Sequence, residues 1–315
     1  MLRPACLPHI SQRSRIMKNN KQLLAFYGLK WNPFLPDIPV ESLWRTPQME
    51  NFIYRLENMT MNGGFALISG EPGLGKSKIL QAIAHQFNRL DEVVVGVMER
   101  PQSSVADFYR EMGALFGVNL SPANRYGGFK DLRDRWKNHT KTTLLRPILL
   151  IDEAQEMLTG CLNELRLLSS TDFDSQNLLT TVICGDTRLP ERFRTRALVS
   201  LGSRMQFRLR LEPYNKEELL DYLEHILNQA GVPQLMTKTL MKTLVDHCAG
   251  NQRVLNNMAS ELLAEGLKKE ASQLDEKLFL EVFSIKTKAT KNIPINQDSK
   301  SVHFRFLKWK ICYGK

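Results

Sequence analysis

The chain has 315 residues, a formal net charge of +10 and five cysteines. That length allows two domains or one large one, and no apolar run approaches the roughly 18 residues that a membrane-crossing helix needs. Cys6, Cys161, Cys184, Cys248 and Cys312 are odd in number and form no C-x-x-C pair, which argues against a disulfide framework or a zinc site and for reduced thiols.

The charge is uneven along the chain. Residues 1–22 carry Arg3, Arg13, Arg15, Lys18 and Lys21 with no acid, and 286–315 carry eight basic side chains against Asp298, so the stretch between is slightly acidic. Basic ends read either as solvated tails or as phosphate-backbone contacts. Residues 1–17 have no apolar core for a signal peptide, Met17 is a second candidate start, and the expected location is cytoplasmic. The first 40 residues are taken as an N-terminal arm and linker.

Phe65 to Ser69 is an apolar run that reads as a buried strand, and it leads directly into Gly70-Glu71-Pro72-Gly73-Leu74-Gly75-Lys76-Ser77. This is a complete G-x-x-x-x-G-K-[ST] phosphate-binding loop. Its glycines turn the backbone tightly so that N–H groups face a phosphate, Lys76 reaches the β and γ oxygens, and Ser77 ligates Mg²⁺. Ile79, Leu80, Ile83 and Phe87 then recur at helical spacing, the strand–loop–helix setting that the motif requires. The nucleotide-contacting stretch is expected to run from Gly70 through Lys78, with ATP and Mg²⁺ as cofactors.

Further strands are predicted at 93–98, 147–152, 179–185 and 205–211. Ile148-Leu149-Leu150-Ile151 ends in Asp152-Glu153. A buried strand of a parallel sheet delivers polar side chains at its carboxyl end, beside the phosphate loop. Asp152 is expected to hold Mg²⁺, and Glu153 to polarise the attacking water as general base. Before that strand, Arg125, Lys130, Arg133, Arg135, Lys137, Lys141 and Arg146 outnumber Asp131 and Asp134, with Tyr126, Phe129 and Trp136 interleaved. A polyanion could track across such a surface. Alternatively Phe129, Leu132 and Trp136, at i, i+3, i+7, face the core and leave the cations solvated.

After 212 the pattern becomes helical. Asn215 with Glu218 three residues on forms a capping box ahead of Leu219, Leu220, Leu223, Ile226 and Leu227. Helices are predicted next at 237–248, 252–268 and 274–284. The fold class expected is α/β, a P-loop parallel sheet flanked by helices at 41–212, with a small all-helical lid at 213–285 and a basic, disordered tail at 286–315.

Taken together, these residues resemble the AAA+ ATPases. Within them the chain is similar to the group containing the secretion-pathway ATPase ExeA and the transposition helpers MuB, TniB and TnsC. The resemblance spans about 26–285. Besides the two nucleotide motifs, it rests on Phe26-Tyr27-Gly28-Leu29-Lys30-Trp31-Asn32-Pro33-Phe34, Cys184-Gly185-Asp186-Thr187-Arg188-Leu189, Gly202-Ser203-Arg204-Met205 and Gly250-Asn251-Gln252-Arg253. It implies that Pro33 and Phe34 fold over the adenine and that Asp186 stands where a γ-phosphate sensor is usual, an acid in place of a neutral polar side chain. It implies equally that Arg204 is an arginine finger offered to a neighbouring subunit, with Arg188, Arg192, Arg194 and Arg196 as nearby competitors, and that Arg253 is the second sensor in the lid. The resemblance further implies a homo-oligomer.

Its leading functional expectation is a DNA transposition or mobilisation helper that assembles on double-stranded DNA and regulates a separate transposase or integrase. No transposase acidic triad is evident in the chain itself. The alternatives are an ExeA-like secretion or envelope ATPase, marked down because the sequence ends at 315 without a membrane helix or wall-binding domain, and a protein-remodelling switch without nucleic acid.

Overall fold

The computed structural model describes residues 20–99, 104–119, 125–171 and 176–284. Both basic ends, Met17 among them, fall wholly or largely outside these residues. The chain divides into two compact units, 39–214 and a second formed by 1–38 together with 215–315.

In the first unit the helices are α1 (Pro47–Thr60), α2 (Lys76–Phe87), α3 (Val105–Phe116), α4 (Arg125–Asn138), α5 (Thr159–Ser169), α6 (Arg188–Arg192) and α7 (Val199–Gly202). The strands are β1 (Gly64–Gly70), β2 (Val93–Met98), β3 (Arg146–Ile151), β4 (Ser170–Thr171), β5 (Gln176–Asn177), β6 (Thr180–Gly185) and β7 (Met205–Leu211). Five strands form one parallel sheet in the order β2-β3-β6-β1-β7, while β4 and β5 pair as a separate antiparallel ribbon. The predicted P-loop sheet flanked by helices is therefore the observed fold, its strands within a residue or so of their expected ends.

The order follows from composition. β1 and β6 are buried along their whole length, and β3 from its second residue onward, as strands covered on both faces must be. β7 lies at the edge and alternates: Met205, Leu209 and Leu211 are buried, whereas Gln206, Arg208 and Arg210 are exposed. Charges on that edge discourage pairing with another strand. Helix starts carry their own signals. Thr46 accepts the Met49 N–H at 3.3 Å, with Pro47 in the first turn of α1, and Ser104 accepts the Asp107 N–H at 3.1 Å to open α3. α3 stops at Gly117, whose φ of +66° suits glycine.

The core between sheet and helices includes Phe65, Phe108, Met112, Phe116, Leu132, Trp136, Leu149 and Ile151. Phe116 meets Trp136 edge to face at 5.3 Å, a geometry that adds to the burial energy. Leu132 and Trp136 are fully buried and Phe129 is packed against the same core. The aromatic stripe of α4 is thus a packing face. Two of its neighbouring cations are also engaged inside the unit. Arg125 pairs with the buried Glu164, and Arg133 donates to the carbonyls of Leu167 and Ser170.

The second unit is helical: α8 (Lys216–Ala230), α9 (Lys238–His247), α10 (Gln252–Lys268) and α11 (Glu276–Phe283). The capping box is formed on both sides, with Glu218 N–H on Asn215 Oδ1 at 2.8 Å and Asn215 N–H on Glu218 Oε2 at 2.9 Å. Thr237, Asn251 and Asp275 cap the other three helices through their side-chain oxygens.

Residues 20–38 belong to this unit, with helix over 20–27. The Lys30 N–H donates to the Ala230 carbonyl at 3.0 Å, and the Tyr27 hydroxyl to the Leu263 carbonyl at 3.5 Å. Burial raises the Tyr27 pKa to about 12, so this phenol stays a donor across the physiological range.

Candidate nucleotide site

Strand order assembles the site. β3, β6 and β1 are adjacent and parallel, so their carboxyl ends bring Asp152-Glu153, Asp186 and the loop from Gly70 to one rim of the sheet. Residues from three separate stretches of sequence thereby converge.

The loop has the backbone of an anion nest. Gly73 and Gly75 have φ of +93° and +88°, the left-handed region where glycine carries no penalty. At Gly70 an added Cβ would lie 2.8 Å from the Leu211 carbonyl, so no larger residue fits there. Leu74, fully buried, has its carbonyl held by the Tyr214 hydroxyl at 2.9 Å, and Trp44 stacks edgewise on Tyr214 at 5.5 Å. Glu71 and Pro72 are exposed, Ser77 is exposed and Lys78 half-buried.

Lys76 opens α2 and is buried, its Nζ donating to the carbonyls of Gly70 and Glu71, both at 3.0 Å. An ammonium has three donors. The third remains for an anion seated in the nest, and the surrounding residue types fit a nucleoside triphosphate with its cation. When bound, Mg²⁺ neutralises charge on the β and γ oxygens; Ser77 and Asp152 are the residues that would hold it.

Asp152 is half-buried and accepts the Glu153 N–H at 2.9 Å. Behind it the buried Cys184 thiol, on β6, donates to its carboxylate. Burial pushes the Cys184 pKa well up, and the Asp152 charge pushes it further, so the sulfur remains a neutral thiol. Glu153 is exposed, with φ of +50°, an uncommon conformation for a residue with a side chain. Its Oε2 accepts the Gln155 amide at 2.5 Å.

Asp186 is engaged rather than open. Its Oδ1 accepts the Arg188 N–H at 2.9 Å and its Oδ2 the Arg188 Nε at 2.7 Å, and Arg188 continues to Glu156 at 2.8 Å. Arg192 donates to the carbonyls of Gln155 and Met157 at 2.6 and 2.8 Å. Both arginines are thus committed to the rim of this sheet, while Arg194 and Arg196 are exposed.

Arg204 stands at the opposite end of the sheet. With Gly64, Phe65, Asn177, Ser203, Met205 and Gln206 it lines a cleft of about 360 Å³ where β1 and β7 begin. Pro33, Phe34 and Arg253 belong to the helical unit. Pro33 and Phe34 are buried, the Phe34 N–H resting on Asn32 Oδ1 at 3.1 Å, and Arg253 is exposed in the first turn of α10. Tyr214 and Gln155 were not singled out by motif reading, and Cys184 was quoted within a motif without a role of its own. Tyr214 carries no motif, whereas Gln155 sits two residues beyond the acidic pair, where its proximity was the available signal.

Fold and site together define a class: a P-loop parallel sheet flanked by helices. Residues 59–193 match the family described as AAA domain. The chain is 27% identical over 243 residues to General secretion pathway protein A of Aeromonas hydrophila, covering 76% of this chain and 44% of the relative, so it spans less than half of that protein's length. Among solved structures it is similar to Cdc6p of Pyrobaculum aerophilum, with TM-score 0.61 and 15% identity over 83% of this chain and 74% of the other. It is also similar to Drosophila ORC bound to DNA, with TM-score 0.60 and 18% identity over 90% and 68%. At these identities the two structures speak for the fold. Among the described residues no helix is long and apolar enough to cross a membrane, and no cluster of His, Cys, Asp or Glu is arranged as a metal site of its own.

Proposed function

We propose that this protein is an oligomeric, Mg²⁺-dependent ATPase whose hydrolytic site is completed by a neighbouring copy. In this reading the loop from Gly70 to Lys78 binds the phosphates, Lys76 donates to the β and γ oxygens, and Ser77 and Asp152 hold Mg²⁺. Glu153 accepts a proton from the attacking water. The observation that carries the proposal is the convergence of three adjacent strand ends on one rim, which gathers the loop from Gly70 with Asp152 and Glu153.

Arg204 is assigned as the finger. Seven residues of β1 separate its end of the sheet from the phosphate loop, roughly 20 Å at about 3.3 Å per residue. That distance supports action on a neighbour's nucleotide over its own. Pro33 and Phe34 are assigned to the adenine and Arg253 to sensing from the helical unit; Asp186, engaged by Arg188, is assigned to hold that arginine instead of reading the γ-phosphate.

For the cargo we favour a secretion-pathway role on the cytoplasmic side, where ATP is available, because the chain is similar to General secretion pathway protein A of A. hydrophila. A DNA-mobilisation helper working with a transposase or integrase is the second reading. Its support is the DNA-bound state of one structural relative and the net positive charge of the chain.

ATP turnover by the purified protein, with and without duplex DNA across a salt series and with Glu153→Gln as control, tests both levels. The ATPase reading expects turnover that Glu153→Gln abolishes. Turnover indifferent to DNA favours the secretion role. Steep, salt-sensitive stimulation favours DNA, because each neutralised phosphate releases counterions.

A further inference from the structure

Glu153 is exposed and follows the last residue of β3 by two. An exposed glutamate on a turn samples several rotamers, which a general base must not do. One side chain restrains it. Gln155 Nε2 donates to Glu153 Oε2 at 2.5 Å, while Gln155 Oε1 accepts the Asp186 N–H at 3.1 Å.

The orientation of that amide is fixed by its partners: a backbone N–H can only donate, and an ionised carboxylate can only accept. Gln155 therefore bridges the ends of β3 and β6, using each end of one amide for one strand. Its backbone is anchored as well, its carbonyl receiving Arg192 at 2.6 Å. The β6 end is shaped to admit it. At Gly185 an added Cβ would lie 2.5 Å from Gln155 Oε1, so glycine at 185 leaves the space that the amide fills.

Resting on the ATPase reading above, we infer that Gln155 is a positioning residue for hydrolysis, holding the Glu153 carboxylate against the end of β6. An amide long enough to span both partners is required. Glutamate at 155 keeps the acceptor for Asp186 but sets a second carboxylate against Glu153, and leucine supplies neither bond.

The test is steady-state ATP turnover of the full chain as wild type, Glu153→Gln, Gln155→Leu and Gln155→Glu. Displacement of a reacting group by about 1 Å costs on the order of a hundredfold, so Gln155→Leu is expected to lower kcat about ten- to hundredfold with KM for ATP within about twofold. Gln155→Glu is expected to fall at least as far. A buttress of the β6 end alone would behave differently, since Gln155→Glu keeps the bond to Asp186 and would restore turnover.

The inference is overturned if Gln155→Glu turns over like wild type, or if Gln155→Leu retains kcat within about twofold. Should Gln155→Leu not fold, Gln155→Met removes the same two bonds at similar length. Absence of turnover in wild type, or its survival in Glu153→Gln, defeats the underlying ATPase reading and this inference with it. That result is distinct from normal wild-type and control behaviour with an unaffected Gln155 variant.

Discussion

Arg204→Ala is expected to separate ATP binding from hydrolysis, and mixing it with Glu153→Gln identifies which copy the arginine serves. The side chain lies where β1 begins, and the phosphate loop lies where β1 ends, seven residues on. The intervening length, roughly 20 Å, exceeds the reach of any side chain. Affinity for ATP should therefore be nearly untouched, with KM within about threefold. Turnover should fall about 10³- to 10⁵-fold, the range for arginine fingers elsewhere, which is about 4 to 7 kcal/mol of lost transition-state stabilisation.

Glu153→Gln alone should be equally inactive. In a one-to-one mixture, a shared site is intact when the copy carrying Arg204→Ala supplies Glu153 and its neighbour carrying Glu153→Gln supplies Arg204. Random exchange gives that pairing at about a quarter of the interfaces of any closed ring, whatever its subunit number. Phosphate release at saturating MgATP should then rise from background to about a quarter of wild type, once subunit exchange has been verified. No recovery despite verified exchange would refute the shared site. A tenfold rise in KM for Arg204→Ala would refute the argument from strand length.

Three further outcomes follow from packing and protonation. Gly266→Ala places a Cβ 2.5 Å from both the Tyr27 hydroxyl and Leu274 Cδ2, so it should destabilise the helical unit by about 1–3 kcal/mol; hydrogen exchange should show residues 20–27 losing protection together with α10, and unchanged protection would contradict that packing. His139 is buried, and burial followed by the nearby Arg135 charge lowers its pKa. Below about pH 6.5 the unfolded chain takes up a proton that the folded chain refuses, so stability should fall as pH drops through that value toward the depressed folded one. His139→Gln should flatten the pH dependence of Tm over that interval. Cys161, Cys184 and Cys248 are buried with their pKa values raised, chiefly by burial; alkylation at pH 7.5 should modify them only in denaturant, and rapid native labelling of Cys184 would contradict its place behind Asp152.

Much of this was readable in the sequence because the signals were local and periodic. Apolar runs marked β1 and β3, glycine spacing marked the phosphate loop, and Asn215 with Glu218 marked the start of α8. What escaped was set by contacts distant in sequence. Lys30 hydrogen-bonds to Ala230 and Tyr27 to Leu263, and nothing in the composition of residues 20–38 announces that they join helices two hundred residues away. The short β4–β5 ribbon has two-residue strands, too brief for a periodicity to register. The basic run from Arg125 to Arg146 shows the complementary limit. Charge is visible in sequence, but the engagement of Arg125 by Glu164 and of Arg133 by two carbonyls is not.

The arginines after β6 divide the protein's work by position. Arg188 and Arg192 are spent on the rim, where they tie Asp186, Glu156 and the backbone around Gln155 into one network. That network borders the carboxylate assigned as the base. Arg204 immediately precedes β7 at the other end of the sheet, and β7 pairs with β1, the strand that delivers the phosphate loop. A rigid parallel strand therefore links the place where one nucleotide is gripped to the place assigned to act on the next. If copies assemble head to tail, the gripping end of one meets the arginine end of another, and on the proposed reading hydrolysis then depends on assembly. On the proposed reading Gln155 and Arg204 are separable: one is assigned to hold the base within a subunit, and the other to supply charge from outside it.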